Sequence, residues 1–338
     1  MSSEMAQLRQ LLSLPPSWKV WNELCEHLHQ WPAEGRELAL SYAREHLDNG
    51  WPEAWRKGNA GAPENSPLHS LAVSHRQALP ESPDMHEIWC PPGQFRMGCT
   101  RLNDFDDETP LTDVTLTRGF WMLETPITQG QWEWLLKTTP SVCSAGDTNP
   151  VDSVNWFSAV FFCNRLSERM GLEPAYEITP SDSDDFEEEA AEGNATFVVE
   201  WRGLDNEGWR LPTEAEWEWA CRAGEMNNPE YTLEELRNKA WFDSGPALTR
   251  SVYTYKPNAW GLHDMLGNIS EWCWDWYTEY PGGEVTDPTG ATNAMFRVIR
   301  GGAWWTEAED VYPTARSNEN AQASDDGVGF RPVRTGKW

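Results

Sequence analysis

The chain has 338 residues, enough for one large domain with a sizeable core and a second, smaller one. Its 26 basic and 54 acidic residues give a formal net charge of −28, which repels phosphate backbones and anionic lipid surfaces and so argues against nucleic-acid and membrane partners. The sequence has neither a secretory leader pattern nor an apolar run long enough to span a bilayer, so we expect a cytoplasmic protein.

Tryptophan and cysteine usage narrows the class of protein further. The 22 tryptophans predict a domain held together by interlocking aromatic rings, some of which could form a binding surface. The seven cysteines are scattered, odd in number and without a CxxC pair, so the sequence suggests neither a zinc site nor a disulfide scaffold.

Residues 1–80 predict a small helical domain that ends in a linker. Apolar residues recur at helical spacing over residues 8–12, 18–28 and 38–47, and Asn49-Gly50 is a helix stop. The segment 57–67 is rich in Gly, Pro and Asn, as linkers are. We therefore predict a second domain at residues 83–338.

The second domain begins with short strands and turns, and helices follow. Segments 114–117 and 120–123 predict a strand pair around Arg118-Gly119. Apolar spacing and capping residues predict three helices, over 128–136 with Thr128 as cap, over 156–170 with Asn155 as cap, and after Thr213, where Glu216 completes a capping box. The acidic segment 180–193 predicts a mobile loop.

Tryptophan- and glycine-rich phrases carry the most specific signal. They are, in chain order, FRMGC from Phe95, DDETP from Asp106, ETPITQGQW from Glu124, PVDSVNWFSAVFFCNRLS from Pro150, GWRLPTEAEWEWACRAG from Gly208, PNAWGLHDMLGNISEWCWDWY from Pro257, RVIRGGAWW from Arg297 and GFRPVR from Gly329. In this order they resemble the formylglycine-generating-enzyme, or sulfatase-modifying-factor, family. The resemblance covers about residues 86–338 and implies an α+β, C-type-lectin-like fold with little regular secondary structure.

The oxidase chemistry that names the family is not implied for this chain. Family members that convert a sulfatase cysteine to formylglycine bind copper through two cysteines between the RGG and GFR phrases. Here that stretch, residues 303–328, contains no cysteine. Because Cu(I) requires soft thiolate ligands, we expect neither copper nor formylglycine formation, and we interpret the chain as a pseudoenzyme.

One calcium site is implied by the resemblance. The family's calcium loop matches residues 264–271, with ligands from the side chain of Asp264, the carbonyls of Gly267 and Ile269, and the side chain of Glu271. Hard carboxylate and carbonyl oxygens are the ligands that calcium prefers. The alternative is a simple turn in which an arginine such as Arg300 or Arg331 holds Glu271.

A ligand-binding surface is also implied, in the loop after the RGG phrase. Its candidate residues are Trp304, Trp305, Glu307, Glu309, Asp310, Tyr312, Arg316, Asn318, Asn320 and Asp325. Aromatic rings among adaptable polar groups suit protein recognition, although Trp304 fits core packing equally well. We interpret the chain as a non-catalytic recognition module with a protein partner, in a bacterial conflict, defence or signalling system.

Two other functions stay open. The first is a divergent metal-dependent oxidoreductase that uses non-haem iron or copper, with Cys273, His263 and Tyr312 as candidate residues. The seven histidines show no facial-triad spacing that would support an iron site. The second is a structural subunit whose task is assembly; the sequence makes no prediction of oligomeric state.

Overall fold

The computed structural model describes residues 8, 9, 11, 12, 76–100, 107–142, 146–180, 185–226, 228, 231–245 and 248–336. The strands within these residues are β1 (Arg76–Ala78), β2 (His86–Cys90), β3 (Gly93–Met97), β4 (Thr112–Leu116), β5 (Phe120–Leu123), β6 (Tyr176–Pro180), β7 (Phe197–Trp201), β8 (Trp209–Arg210), β9 (Ser270–Trp276), β10 (Gly283–Thr286), β11 (Arg297–Arg300), β12 (Arg316–Glu319), β13 (Val328–Gly329) and β14 (Val333–Thr335). The helices are α1 (Gln129–Leu136), α2 (Trp156–Arg169), α3 (Phe186–Ala191), α4 (Glu214–Cys221) and α5 (Leu233–Arg237), with a 3-10 turn at Ala308–Asp310.

The strands form four small sheets whose neighbours are often distant in sequence. Their orders are β1-β2-β5-β14-β8, β10-β4-β3, β12-β11-β9-β13 and β6-β7. The C-terminal strand β14 lies between β5 and β8, so the last residues of the domain close a sheet that its first strands begin. Strands β9 and β13 are parallel, as are β4 and β10, while the other pairs are antiparallel.

The predicted strand pair at 114–123 is wrong as a pair. Both segments are strands, but β4 pairs with β3 and β10, whereas β5 pairs with β2 and β14. The turn at Arg118-Gly119 therefore connects two sheets. Alternation of apolar residues reports that a segment is a strand, but it carries no information about which strand lies beside it.

The predicted helix starts are confirmed, because capping depends only on neighbouring residues. The side chains of Thr128 and Thr213 each accept from the backbone N–H three residues on, and each helix has a complete capping box. Asn155 caps α2 by accepting from Ser158 N at 2.9 Å. All eight residues of α4 are buried, so this helix lies inside the domain.

Indole rings fill much of the interior, as the tryptophan content predicts. Seven tryptophans are almost completely buried: Trp89, Trp132, Trp156, Trp209, Trp217, Trp260 and Trp272. Several find a partner for the ring N–H, as buried indoles usually do. Trp272, for example, donates to Val154 O at 2.9 Å, and Trp156 donates to Cys273 O at 3.0 Å, which ties α2 to β9.

The acidic segment 180–193 is partly a helix rather than a loop throughout. Helix α3 buries Ala190 and Ala191, and Phe186 makes edge contacts with Phe161 and Phe197. One aromatic residue and two alanines thus anchor a run of acids whose other side faces solvent. Residues 181–184 of this segment lie outside the described residues.

The N-terminal helical domain predicted for residues 1–80 lies almost entirely outside the described residues, and its boundary stays a prediction. Leu8 and Leu11 are helical and buried, and they join the apolar cluster that contains Trp217 of α4. Strand β1 belongs to the five-stranded sheet, so that sheet includes residues before the predicted start at 83. In the described part of the chain, every helix is too short or too polar to cross a membrane.

Candidate recognition surface

The hairpin formed by β11, β12 and the loop between them is pinned to α4 at both ends. Arg300, the last residue of β11, lies opposite Arg316, the first residue of β12. Arg316 Nε donates to Glu214 Oε1 at 2.7 Å, and Arg300 Nη2 pairs with Glu218. All four side chains are buried. Because a buried ion pair is costly to break, these contacts hold the loop ends at one place.

The ion pairs shift the pKa of the groups that form them. Burial disfavours the charge of Arg316, but the carboxylate of Glu214 outweighs it and raises the pKa of that guanidinium. Burial likewise raises the pKa of Glu214, while Arg316 and then Arg300 lower it to a net value below the ordinary range. Both groups are therefore charged at neutral pH.

Within this loop, Trp305 is the exposed aromatic ring. It keeps 53% of its surface accessible, whereas Trp304 is half-buried, and the backbone N–H of Trp304 donates to Asn268 O at 3.1 Å. A Cβ placed on Gly327 would lie 2.5 Å from Nε1 of Trp305 and 3.1 Å from Oδ1 of Asp325. The Nε1 edge of the indole therefore lies against the chain at Gly327, where only glycine leaves room for it, and the rest of the side chain accounts for the exposure.

Most polar residues of the predicted surface are exposed or half-buried on the same loop as Trp305. Glu307, Glu309 and Asp310 are exposed on the 3-10 turn. Asn320 is exposed and accepts from Gln322 N at 2.9 Å. Asn318 and Asp325 are half-buried, and Asp325 Oδ1 accepts from Gly327 N at 2.7 Å.

Two of the ten predicted surface residues do not lie on the surface. Tyr312 is 6% exposed, and its hydroxyl donates to the carboxylate of Glu108. Arg316 is buried on Glu214, with its guanidinium 4.0 Å from the ring centre of Tyr280. Glu108, Glu214 and Tyr280 each lie more than 30 residues from the loop residue that they contact. The sequence of the loop therefore contained no signal of this burial.

The structure adds a second segment, residues 241–250, which the sequence did not single out. Asp243 N donates to Thr306 O at 3.0 Å, and Ser244 N donates to Trp304 O at 3.1 Å. Trp241 Nε1 donates to Leu248 O at 3.0 Å, and Leu248 is exposed. These contacts place an exposed leucine and a half-buried tryptophan beside the loop of Trp305.

We define the recognition surface by Trp241, Leu248, Trp304, Trp305, Glu307, Glu309, Asp310 and Asn320. Its apolar part comes from two segments about sixty residues apart, joined through Asn268, which donates from its N–H to Trp241 O at 2.7 Å. Residues 241–248 (WFDSGPAL) contain a single tryptophan and no motif that marks them as part of a surface.

The predicted calcium ligand Glu271 is held by protein donors in this structure. Its carboxylate is fully buried and accepts from Arg331 Nη2 at 2.8 Å, from Arg331 Nε at 3.1 Å and from Trp217 Nε1 at 2.7 Å. Arg331 also donates to the carbonyls of Leu123, Glu124, His263 and Asp264. The guanidinium of Arg331 is thus surrounded by oxygen acceptors. This contact is the alternative that the sequence left open, in which an arginine holds Glu271.

The remaining predicted calcium ligands lie in one turn. Asp264 Oδ2 accepts from Tyr253 N at 3.1 Å, and burial raises the pKa of this carboxyl to about 6. Gly267 O accepts from Ile269 N at 2.8 Å, and the Ile269 side chain is buried. No group of three or more His, Cys, Asp or Glu side chains in the described residues is placed to hold a metal ion, and the calcium site stays a prediction.

The candidate residues for an oxidoreductase are not brought together. Cys273 is fully buried, and burial, followed by the charge of Glu214, raises the pKa of its thiol far above the ordinary value. His263 is half-buried and its Nδ1 lies 3.0 Å from Tyr255 O; burial lowers the pKa of this imidazole. Tyr312 lies near Glu108 instead, in the interior.

Comparison with known proteins gives one family match. Residues 72–336 match the family described as sulfatase-modifying factor enzyme 1-like domain. Among curated relatives, the chaperone protein LppX of Paenibacillus barcinonensis is 30% identical over 66% of this chain and 82% of its own length. The serine/threonine-protein kinase pkn1 of Chlamydia pneumoniae is 36% identical over 49% of this chain, and the match spans only 26% of that kinase.

A solved structure agrees with the sequence comparison. Treponema denticola variable protein 1 superposes with a TM-score of 0.66 at 28% identity, covering 77% of this chain and 98% of the other. The similarity therefore extends over nearly the whole of that protein.

Proposed function

The chain belongs to the family of sulfatase-modifying factor enzyme 1-like domains and has its α+β, formylglycine-generating-enzyme-like fold, and we propose that it acts as a non-catalytic recognition module for a protein partner. The observation that carries the proposal is Trp305, a large apolar ring left open to solvent on a loop whose two ends are fixed by buried ion pairs. A rigid aromatic residue binds with little loss of conformational entropy, which is typical of recognition hot spots.

The placement of the cysteines supports a role other than oxidation. Residues 303–328 contain no cysteine. Among the described cysteines, Cys90, Cys163, Cys221 and Cys273 are buried and Cys99 is half-buried. A thiolate is the form that binds Cu(I), and burial raises the thiol pKa of all four buried cysteines.

Two relatives, a chaperone protein and a serine/threonine-protein kinase, support interaction with other proteins as the common role. The proposal includes a place for the chain as one component of a bacterial conflict, defence or signalling system.

Site-specific crosslinking tests the proposal. A photo-crosslinking amino acid replaces Trp305 in one variant and Met295, which is 75% exposed, in a matched control. Irradiation in the native cell is expected to give a discrete protein adduct at 305 and none at 295. Equal labelling at both positions, or none at 305, would contradict a recognition surface at this loop.

A second assay addresses the oxidase directly. The purified protein, supplied with copper and oxygen, is expected to leave a sulfatase-type cysteine peptide unchanged in mass. Conversion of the cysteine to formylglycine would overturn the non-catalytic assignment.

A further inference from the structure

We propose that the partner docks through a basic segment, and that an arginine or lysine of that segment stacks on the indole of Trp305 between the carboxylates of the recognition surface. This inference rests on the proposed function and names the chemistry of the partner. The charge of the loop, the exposure of the Trp305 ring and an arginine–tryptophan contact on the same surface point to this chemistry.

The loop and its continuation carry one sign of charge. Residues 303–328 contain six acidic residues, Glu307, Glu309, Asp310, Glu319, Asp325 and Asp326, and one basic residue, Arg316. Arg316 is buried in an ion pair with Glu214, so its positive charge is neutralised inside the domain. The loop therefore presents a net negative charge, larger than the single positive charge of the exposed Arg250 nearby, and a positive partner segment is steered towards it.

Asp310 lies close enough to other acidic residues for their charges to act on its carboxyl. Partial burial raises the pKa of its carboxyl first, and the charges of Glu307, Glu108 and Asp107 raise it further. Carboxylates that disfavour each other's ionisation gain when a cation is added between them. A basic partner relieves this repulsion, whereas an acidic partner increases it.

The same surface contains a guanidinium–indole contact within the chain. Arg250 places its Cζ 3.5 Å from the ring centre of Trp241, within the range of a cation–π interaction. In the part of the chain that the structure describes, no arginine or lysine lies over the ring of Trp305. The exposed ring of Trp305 can therefore form with a partner the cation–π contact that Trp241 forms with Arg250 of its own chain.

Peptide binding tests this inference with defined probes. The probes are a short fluorescent Arg-Gly repeat peptide and two matched peptides in which Gln or Glu replaces Arg. Fluorescence anisotropy with the full chain is expected to show binding of the Arg peptide alone. Binding should weaken as salt rises from low to physiological ionic strength, because salt screens exposed charges.

Matched variants separate a local site from the general negative charge of the protein. The test variant combines Glu307→Gln, Glu309→Gln and Asp310→Asn. The control combines Glu177→Gln, Glu200→Gln and Glu284→Gln, three exposed residues elsewhere, with the same change in net charge. We expect the test variant and Trp305→Ala each to weaken binding on the order of tenfold, and Trp305→Phe to retain part of the affinity.

Each outcome decides the inference. A loss confined to the test variant and Trp305→Ala supports the basic partner. Equal weakening by the control triple, or equal binding of the Gln peptide, overturns it. A crosslinked adduct at position 305 together with failure of the Arg peptide would leave the recognition surface standing and remove the basic partner, so the two proposals fail separately.

Discussion

Arg300 and Arg316 lie directly opposite each other on β11 and β12, and the carboxylate of Glu214 lies between their guanidinium groups. Like charges at facing positions of a sheet destabilise it unless a counter-charge is present. Glu214 Oε1 lies 2.7 Å from Arg316 Nε and 3.6 Å from Arg300 Nε. Glu214, together with Glu218 on Arg300 Nη2, thus permits two facing arginines to close the hairpin that presents Trp305.

Replacing Glu214 by Gln is expected to destabilise the domain. The change leaves the buried cation Arg316 without its bidentate partner, at a cost of about 3–5 kcal/mol in the free energy of unfolding. Chemical denaturation measures this cost, with Glu284→Gln, an exposed position, as control. A loss no larger than that of the control would mean that the ion pair does not hold the hairpin.

Replacement by Phe is expected to destabilise the domain at Tyr312 but to leave its stability almost unchanged at Trp305. Tyr312→Phe removes a buried hydroxyl that donates to Glu108, and we expect a loss of about 1–3 kcal/mol in stability because the acceptor is a carboxylate. Trp305→Phe changes an exposed ring and should alter stability by no more than about 0.5 kcal/mol. Thermal denaturation of the two variants side by side is the measurement. Equal destabilisation would contradict the burial of one ring and the exposure of the other.

Asp275 is expected to make stability depend on pH. Burial, followed by the charge of Glu214, raises the pKa of this carboxyl from 3.8 to about 7 in the folded protein. Between these two values the folded state retains a proton that the unfolded state has lost, so the contribution of Asp275 to stability falls as pH rises. Asp275→Asn removes the ionisation and can still accept from Glu214 N.

The measurement is the difference in unfolding free energy between Asp275→Asn and wild type, taken from about pH 4.5 to about pH 8. The difference should shift in favour of the variant as pH rises through this range, by a few kcal/mol at most. Asp205→Asn, at an exposed position, serves as control and should show no such trend. A constant difference for Asp275→Asn would refute the raised pKa.

Glu271→Gln tests the calcium prediction against the ion pair. Since Arg331 and Trp217 donate to both carboxylate oxygens of Glu271, we expect the variant to lose about 3–5 kcal/mol through the ion pair alone. The calcium loop predicts in addition that calcium raises the melting temperature of wild type. Differential scanning calorimetry with and without calcium measures both effects. Stabilisation of wild type by calcium, absent in Glu271→Gln, would establish the calcium loop.

The sequence by itself determined the family, the fold class and the local starts of helices. The order of the motifs identifies the family. Caps such as Thr128, Asn155 and Thr213 accept from N–H groups within three residues, so helix starts can be predicted without knowledge of the fold. The absence of cysteine from residues 303–328 is likewise a property of the sequence alone.

Only the tertiary structure decided which residues of the loop are exposed. Tyr312 turns inward because Glu108, 204 residues away, accepts its hydroxyl, and Arg316 turns inward because Glu214 neutralises it. Leu248 joins the surface through backbone contacts between its segment and residues 304–306. Burial of a charged or aromatic side chain depends on long-range partners that satisfy it, and such partners have no fixed spacing in the sequence.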